Sequence, residues 1–188
     1  MAQRVEKLWR YAALARMWSW CLIGVAGALL VVAVGIQAGS EDGLSARWLG
    51  IALGVSGLTG VLFFPLLRVW LRRSALPSVR LADAKRERGT PRRLEAAPAD
   101  WRRWSVFTAG LLLVGGAAML TFLVGVLGRG GTAEGVVVGV LAAWGLATLE
   151  DARRIERVER EEGRRYYAAG SRPTGAGGKL VWVAAKEA

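Results

Sequence analysis

The sequence predicts an all-α integral membrane protein, with four transmembrane helices arranged as two tandem hairpins and both termini inside. Three observations lead there. Over half of the 188 residues are hydrophobic, yet the formal net charge is +11. That combination fits charges gathered into a few polar segments between apolar ones. Four apolar stretches approach the ~20 residues that a ~30 Å hydrocarbon core requires. The basic residues, finally, fall almost entirely in alternate connections.

The expected spans are Trp18–Gln37, Leu49–Leu67, Val106–Leu127 and Gly135–Leu149. The fourth is the shortest, and we expect it to complete its length with Thr132–Glu134 and the first residues after Leu149. The first is not expected to be a cleaved signal. Its apolar run exceeds the usual ~7–15 residues, and Ile36 is a poor −3 residue for cleavage after Ala38. The chain then divides into an N-terminal interfacial segment (1–17), a first hairpin (18–67), a basic loop (68–105), a second hairpin (106–149) and a charged helix with a Gly-rich tail (150–188).

Charge sets the expected orientation. The two short turns carry one basic residue each, Arg47 and Arg129, and the other twenty-four of the 26 lie in the N-terminal segment, the central loop and the tail. Short loops rich in Lys and Arg stay on the cytoplasmic side, so the N-terminus, loop and tail are expected inside. Arg outnumbers Lys 22 to 4 and Gly, Ala and Val abound, which suggests a GC-rich bacterial source and hence an inner membrane. Arg72, Arg73, Lys85, Arg86, Arg88, Arg92, Arg93, Arg102 and Arg103 are the candidate contacts for anionic lipid headgroups or an acidic partner protein. Nucleic acid is not expected, because the run Asp83–Arg93 has no aromatic residue to stack on bases and matches no binding module.

The two halves share a weak pattern. "WSWCLIG" at Trp18 and "WSVFTAG" at Trp104 lie 86 residues apart, and "GIALGV" at Gly50 and "GVVVGV" at Gly135 lie 85 apart. Duplication of a two-helix hairpin would produce both. Within the second pair, Gly50 and Gly54, and likewise Gly135 and Gly139, share a helix face and invite close backbone approach. Gly57 extends the small-residue set of the second span. We expect these glycines to pack helices within the bundle, or to meet another copy or another membrane subunit. Trp18, Trp20, Trp48, Trp70, Trp101 and Trp104 fall near span ends, where such rings favour the interface.

Outside the spans, residues 2–16 space Val5, Leu8, Trp9 and Ala12 as a short interfacial helix would. Pro77, Pro91 and Pro98 prevent the central loop from being one helix, although a helical piece over 78–88 is compatible with them, and Asp100 suits a helix cap. "EDARRIERVEREEGRR" reads as a charged helix prolonging the fourth span by ~25 Å, with Glu150–Arg154, Glu156–Arg160 and Glu161–Arg165 as i,i+4 pairs. Only Ile155 and Val158 offer it an apolar stripe, so it is expected to be solvated. The tail resembles a phosphate loop only superficially, since Pro173 and Leu180 stand where Gly and Ser or Thr are needed. We read it as a linker followed by an extended patch, Leu180–Val183.

Chemistry is sparse. Histidine is absent, and the single cysteine, Cys21, lies in an apolar run, which suits a structural thiol. No Asp, Glu, Lys or Arg lies near a span centre, and Glu134, at the start of the fourth helix, is the nearest candidate for proton coupling. A catalytic constellation, a metal site and a cofactor site are all unexpected. The expected function is therefore that of a non-catalytic structural or accessory subunit of a membrane complex, docking partners through its basic loop and tail. The alternative is a small oligomeric transporter or channel-forming subunit.

Overall fold

The computed structural model describes residues 7–40, 44–74, 85–86, 97–127, 131–170 and 179–184. The apolar stretches form four helices, α1 (Tyr11–Ala38), α2 (Ala46–Ser74), α3 (Pro98–Leu127) and α4 (Thr132–Glu162). All four are long and apolar enough to cross a membrane, and the chain is a multi-pass membrane protein. At 28 to 31 residues, each exceeds the ~20 residues that hydrocarbon requires. The surplus lies at one end: α1 and α3 begin earlier there than expected, and α2 and α4 run on past Leu67 and Leu149.

That same end carries four strands: β1 (Lys7–Arg10), β2 (Lys85–Arg86), β3 (Arg164–Gly170) and β4 (Lys179–Ala184). They form one sheet in the order β1-β3-β4-β2, antiparallel except for β2 beside β4. The membrane-crossing part is thus all-helical, while the segments at its end add a sheet that the all-α expectation omitted. Residues 7–10 are extended rather than helical, and the helix begins only at Tyr11; residues 2–6 lie outside the described residues. Four residues are too few to separate a period of 2 from one of 3.6. Leu8 packs with Tyr167, Val181 and Val183 on one face of the sheet. Trp9 and Ala168 lie on the other, against Trp101 and Trp104 of α3. The Trp9 and Trp101 rings meet edge to face with centroids 4.9 Å apart, a geometry the ring quadrupoles favour.

Within the bundle α4 is the hub, packed chiefly against α2 and α1, while α3 rests mainly on α1. In its most apolar stretch α4 is 50% buried and α3 only 6%, so α4 supplies the core and α3 faces outward. The hairpins are therefore not separate packing units. The reason is a seam of small residues. An added Cβ at Gly135 would stand 2.6 Å from the Ala52 carbonyl oxygen, one at Gly139 2.5 Å from that of Ser56, and one at Gly131 2.9 Å from that of Trp48. Only glycine allows α2 to run this close alongside α4. On α2 the contact falls on Ala52, Val55, Ser56 and Thr59, whereas Gly50, Gly54 and Gly57 have nothing within 4 Å of an added Cβ. Those three glycines, expected to pack helices, line an open face within this chain. On the other side of α4, Gly145 admits α1: an added Cβ would lie 2.6 Å from Ile23.

Candidate functional site at the sheet end

The charged continuation of α4 is docked rather than solvated. Ala152, Ile155 and Glu159 fall on one helical face, and all three are buried. Glu159 is the centre of the arrangement. Its Oε2 accepts a hydrogen bond from Arg10 at 3.1 Å, and its Oε1 accepts one from the Tyr166 backbone N–H at 3.0 Å. One carboxylate thereby ties the β1–α1 junction, the end of α4 and the start of β3. Gly163 makes the required reversal with φ at 62°, a left-handed conformation that glycine adopts without strain.

Electrostatics around this latch are strong. Burial works against the Arg10 guanidinium, but the hydrogen bond and charge of Glu159 outweigh it and leave Arg10 above its usual value. Burial, with Glu162 accepting from its hydroxyl, pushes Tyr166 up to about 12. Arg164 lies 4.3 Å from the centroid of the Trp182 ring and 3.6 Å from Glu162. The anticipated i,i+4 partners are partly redirected: Glu150 pairs with Arg68 of α2 and Glu156 with Arg16 of α1. These ion pairs are exposed or half-exposed, where such contacts contribute ~0–1 kcal/mol each.

Around the latch lies a basic surface. Arg102 and Arg103 at the start of α3 are exposed, as are Arg153, Arg154, Arg157 and Arg160 of α4 and Arg164 of β3. Arg72 and Arg73 occupy the last turn of α2, at the same end. Lys85 and Arg86 form β2 and pair with Val181 and Trp182 of β4. Arg88, Arg92 and Arg93 lie outside the described residues. A hollow of about 450 Å³ opens beside the latch, lined by Arg10, Arg160, Arg164 and Arg165 together with Glu156 and Glu159. Guanidinium groups in such numbers suit phosphate or carboxylate partners.

The latch residues Arg10, Glu159 and Tyr166 escaped sequence reasoning. A signal existed in the i, i+3, i+7 spacing of Ala152, Ile155 and Glu159, which puts a carboxylate on an apolar stripe. The tryptophans divide by role. Trp20, Trp70 and Trp144 are exposed, whereas Trp48 is buried with Ala33 and Ala52, and Trp101 and Trp104 support the sheet. Cys21 is half-buried, its thiol 3.7 Å from the Ser105 carbonyl oxygen. Among the described residues no group of three or more His, Cys, Asp or Glu could hold a metal ion. The chain matches no protein-family model, no curated protein and no solved structure.

Proposed function

We propose that this protein is a non-catalytic accessory subunit of a complex in a bacterial inner membrane, with both termini and the sheet in the cytoplasm. The observation that carries the reading is the sheet itself. It joins the N-terminal strand, a strand from the central loop and the tail at one end of the bundle, and these are the segments that hold most of the basic residues. The positive-inside bias then supports the orientation. A rigid platform studded with exposed arginines suits an acidic partner surface, with anionic headgroups contributing ~1 kcal/mol per nearby basic residue. The nearly bare apolar face of α3 and the open glycine face of α2 leave room for a second copy or another membrane subunit.

The test has two stages. A tagged copy at native expression is extracted mildly, and co-purifying proteins are identified by mass spectrometry. Charge reversal at Arg102, Arg103, Arg153 and Arg154 should then remove a stoichiometric partner without unfolding the bundle. Retention of that partner, or a clean homo-oligomer in both preparations, would overturn the docking role. Orientation is read separately from cysteines placed at Leu44 and Arg157 in a Cys21→Ala background, which should label from opposite sides.

A second reading, a small oligomeric transporter or channel-forming subunit, draws support from a polar cleft around Glu134 between α1, α3 and α4. Reproducible solute flux by the purified protein in liposomes would favour it over the accessory role.

A further inference from the structure

At the end of the bundle away from the sheet, α1, α3 and the first turn of α4 enclose a cleft of about 330 Å³. Its polar lining is Gln37, Ser40, Thr121 and Glu134, and Ile36 and Leu120 are among its apolar walls. The hydroxyl hydrogens are already committed. Thr121 donates to the Ala117 carbonyl oxygen at 2.9 Å. Ser40 donates to the Gln37 carbonyl oxygen at 2.7 Å, and its oxygen also faces the Gln37 amide nitrogen at 3.3 Å. A hydroxyl has one hydrogen, so what Ser40 and Thr121 have left for a ligand is lone pairs. Glu134 adds an acceptor-only group, and among the described residues its buried Oε2 has no hydrogen-bond partner, a condition native structures seldom leave unmet.

Among the described residues the cleft therefore offers mainly acceptors beside the Gln37 amide, carries one carboxylate and has apolar walls. An anion would be repelled. A divalent metal ion would want about six or more oxygens, with several charges among them. A neutral alcohol would donate to one acceptor and leave the charge of the carboxylate uncompensated. The complement is a positively charged group with several N–H donors on a small apolar body. We propose that this cleft binds an organic ammonium ion, with Glu134 and Thr121 accepting from its N–H groups and Ile36 and Leu120 contacting its hydrocarbon part. The site stands whether the protein is an accessory subunit or a transporter.

The ammonium could belong to a free amine or to the headgroup of phosphatidylethanolamine, and one assay separates them. The full chain carrying Cys21→Ala and Ile36→Cys is placed in nanodiscs of digalactosyldiacylglycerol, a neutral lipid without an ammonium group. Alkylation of the new thiol by a maleimide is timed with cyclohexylmethylammonium, with cyclohexylmethanol, or with phosphatidylethanolamine mixed into the disc. The soluble ammonium should slow alkylation where the alcohol at equal concentration does not. Protection by the soluble amine alone assigns a free ligand, and stronger protection by the lipid assigns the headgroup. Glu134→Gln should raise the concentration for half-protection by about tenfold or more, the loss expected of one charge-assisted contact. Thr121→Val, which alters no charge, should raise it by about threefold. Equal protection by the alcohol, no protection by either ammonium, or an unchanged half-protection concentration in Glu134→Gln would overturn the assignment. Should Glu134→Gln fail to fold, an unchanged value in Thr121→Val overturns it equally.

Discussion

The hydroxyl of Ser19 donates a hydrogen bond to the carbonyl oxygen of Gly145 at 2.7 Å, joining the sheet-proximal half of α1 to the middle of α4. Ser19 is fully buried, and an added Cβ at Gly145 would meet the Ser19 carbonyl oxygen at 3.2 Å. The missing side chain of one residue thus permits the polar contact of the other. Inside a bilayer such interhelical bonds contribute ~0.5–2 kcal/mol. Ser19→Ala should lower stability in micelles by about that amount, read from reversible unfolding in mixed detergent. A larger loss is not expected, because the Thr148 hydroxyl, which lies 2.7 Å from the Trp144 carbonyl oxygen, is also within 3.0 Å of the Gly145 carbonyl oxygen and can turn to it.

The glycines of the two matched motifs should respond in opposite ways. Gly139→Ala pushes a methyl group against the Ser56 backbone and should cost about 1–3 kcal/mol, as overpacking usually does. Gly54→Ala meets open space and should be neutral or stabilising by up to ~1 kcal/mol, through helix propensity alone. Thermal denaturation of the two variants in one detergent checks the contrast. Equal destabilisation would show that the Gly54 face is covered in the assembled protein.

Much of this architecture was legible beforehand, and the parts that were not share a cause. Apolar length and the bias of Lys and Arg locate four helices, because lipid leaves the backbone few options. The sheet was harder to see. β1 is too short for its period to be read, and β3, "RRYYAAG", has neither strict alternation nor a tight turn to announce it. Its stability comes from pairing with β1 and β4, over a hundred and a dozen residues away respectively, which local pattern cannot reveal. The patch Leu180–Val183 was recognisable because Leu-Val-Trp-Val leaves little alternative to a strand. The glycine motifs were visible as motifs, but which copy would be filled depended on the rotation of α2, and that is set by tertiary packing. The buried role of Glu159 was hidden by the charged residues around it.

Glu159 should act as the latch for the sheet. Glu159→Gln keeps the shape but removes the charge that Arg10 meets, and should cost about 1–3 kcal/mol. The loss should be local. Backbone amides of Arg164–Gly170 should exchange hydrogen faster, while those of the Gly135–Gly145 stretch keep their protection. Arg10→Met combined with Glu159→Gln should be less costly than the two changes summed, because neither charge is then left without its counter-charge.

Tyr166 predicts a pH dependence with a definite sign. Its folded-state value is raised from 10 to about 12, so the folded protein holds this proton more tightly than the unfolded chain. The associated stability is fully present below about pH 10 and is lost as pH rises through about 12. Phenolate absorbance of the parent minus that of Tyr166→Phe should show one tyrosine titrating late. A difference curve centred near pH 10 would mean that the hydroxyl is open to water, and the Glu162 contact would not hold in solution.

The position of α4 at the hub has a consequence for biogenesis. α4 is synthesised after α1 and α2, the two helices it joins, and these have little contact with each other on which to settle. Until α4 leaves the ribosome and enters the bilayer, α3 can rest on α1 but α2 lacks the helix it packs against most, and β1 waits for a strand made more than 150 residues later. Insertion and assembly are thereby separated in time. A nascent chain interrupted before α4 would lack the helix on which most of the bundle's packing depends.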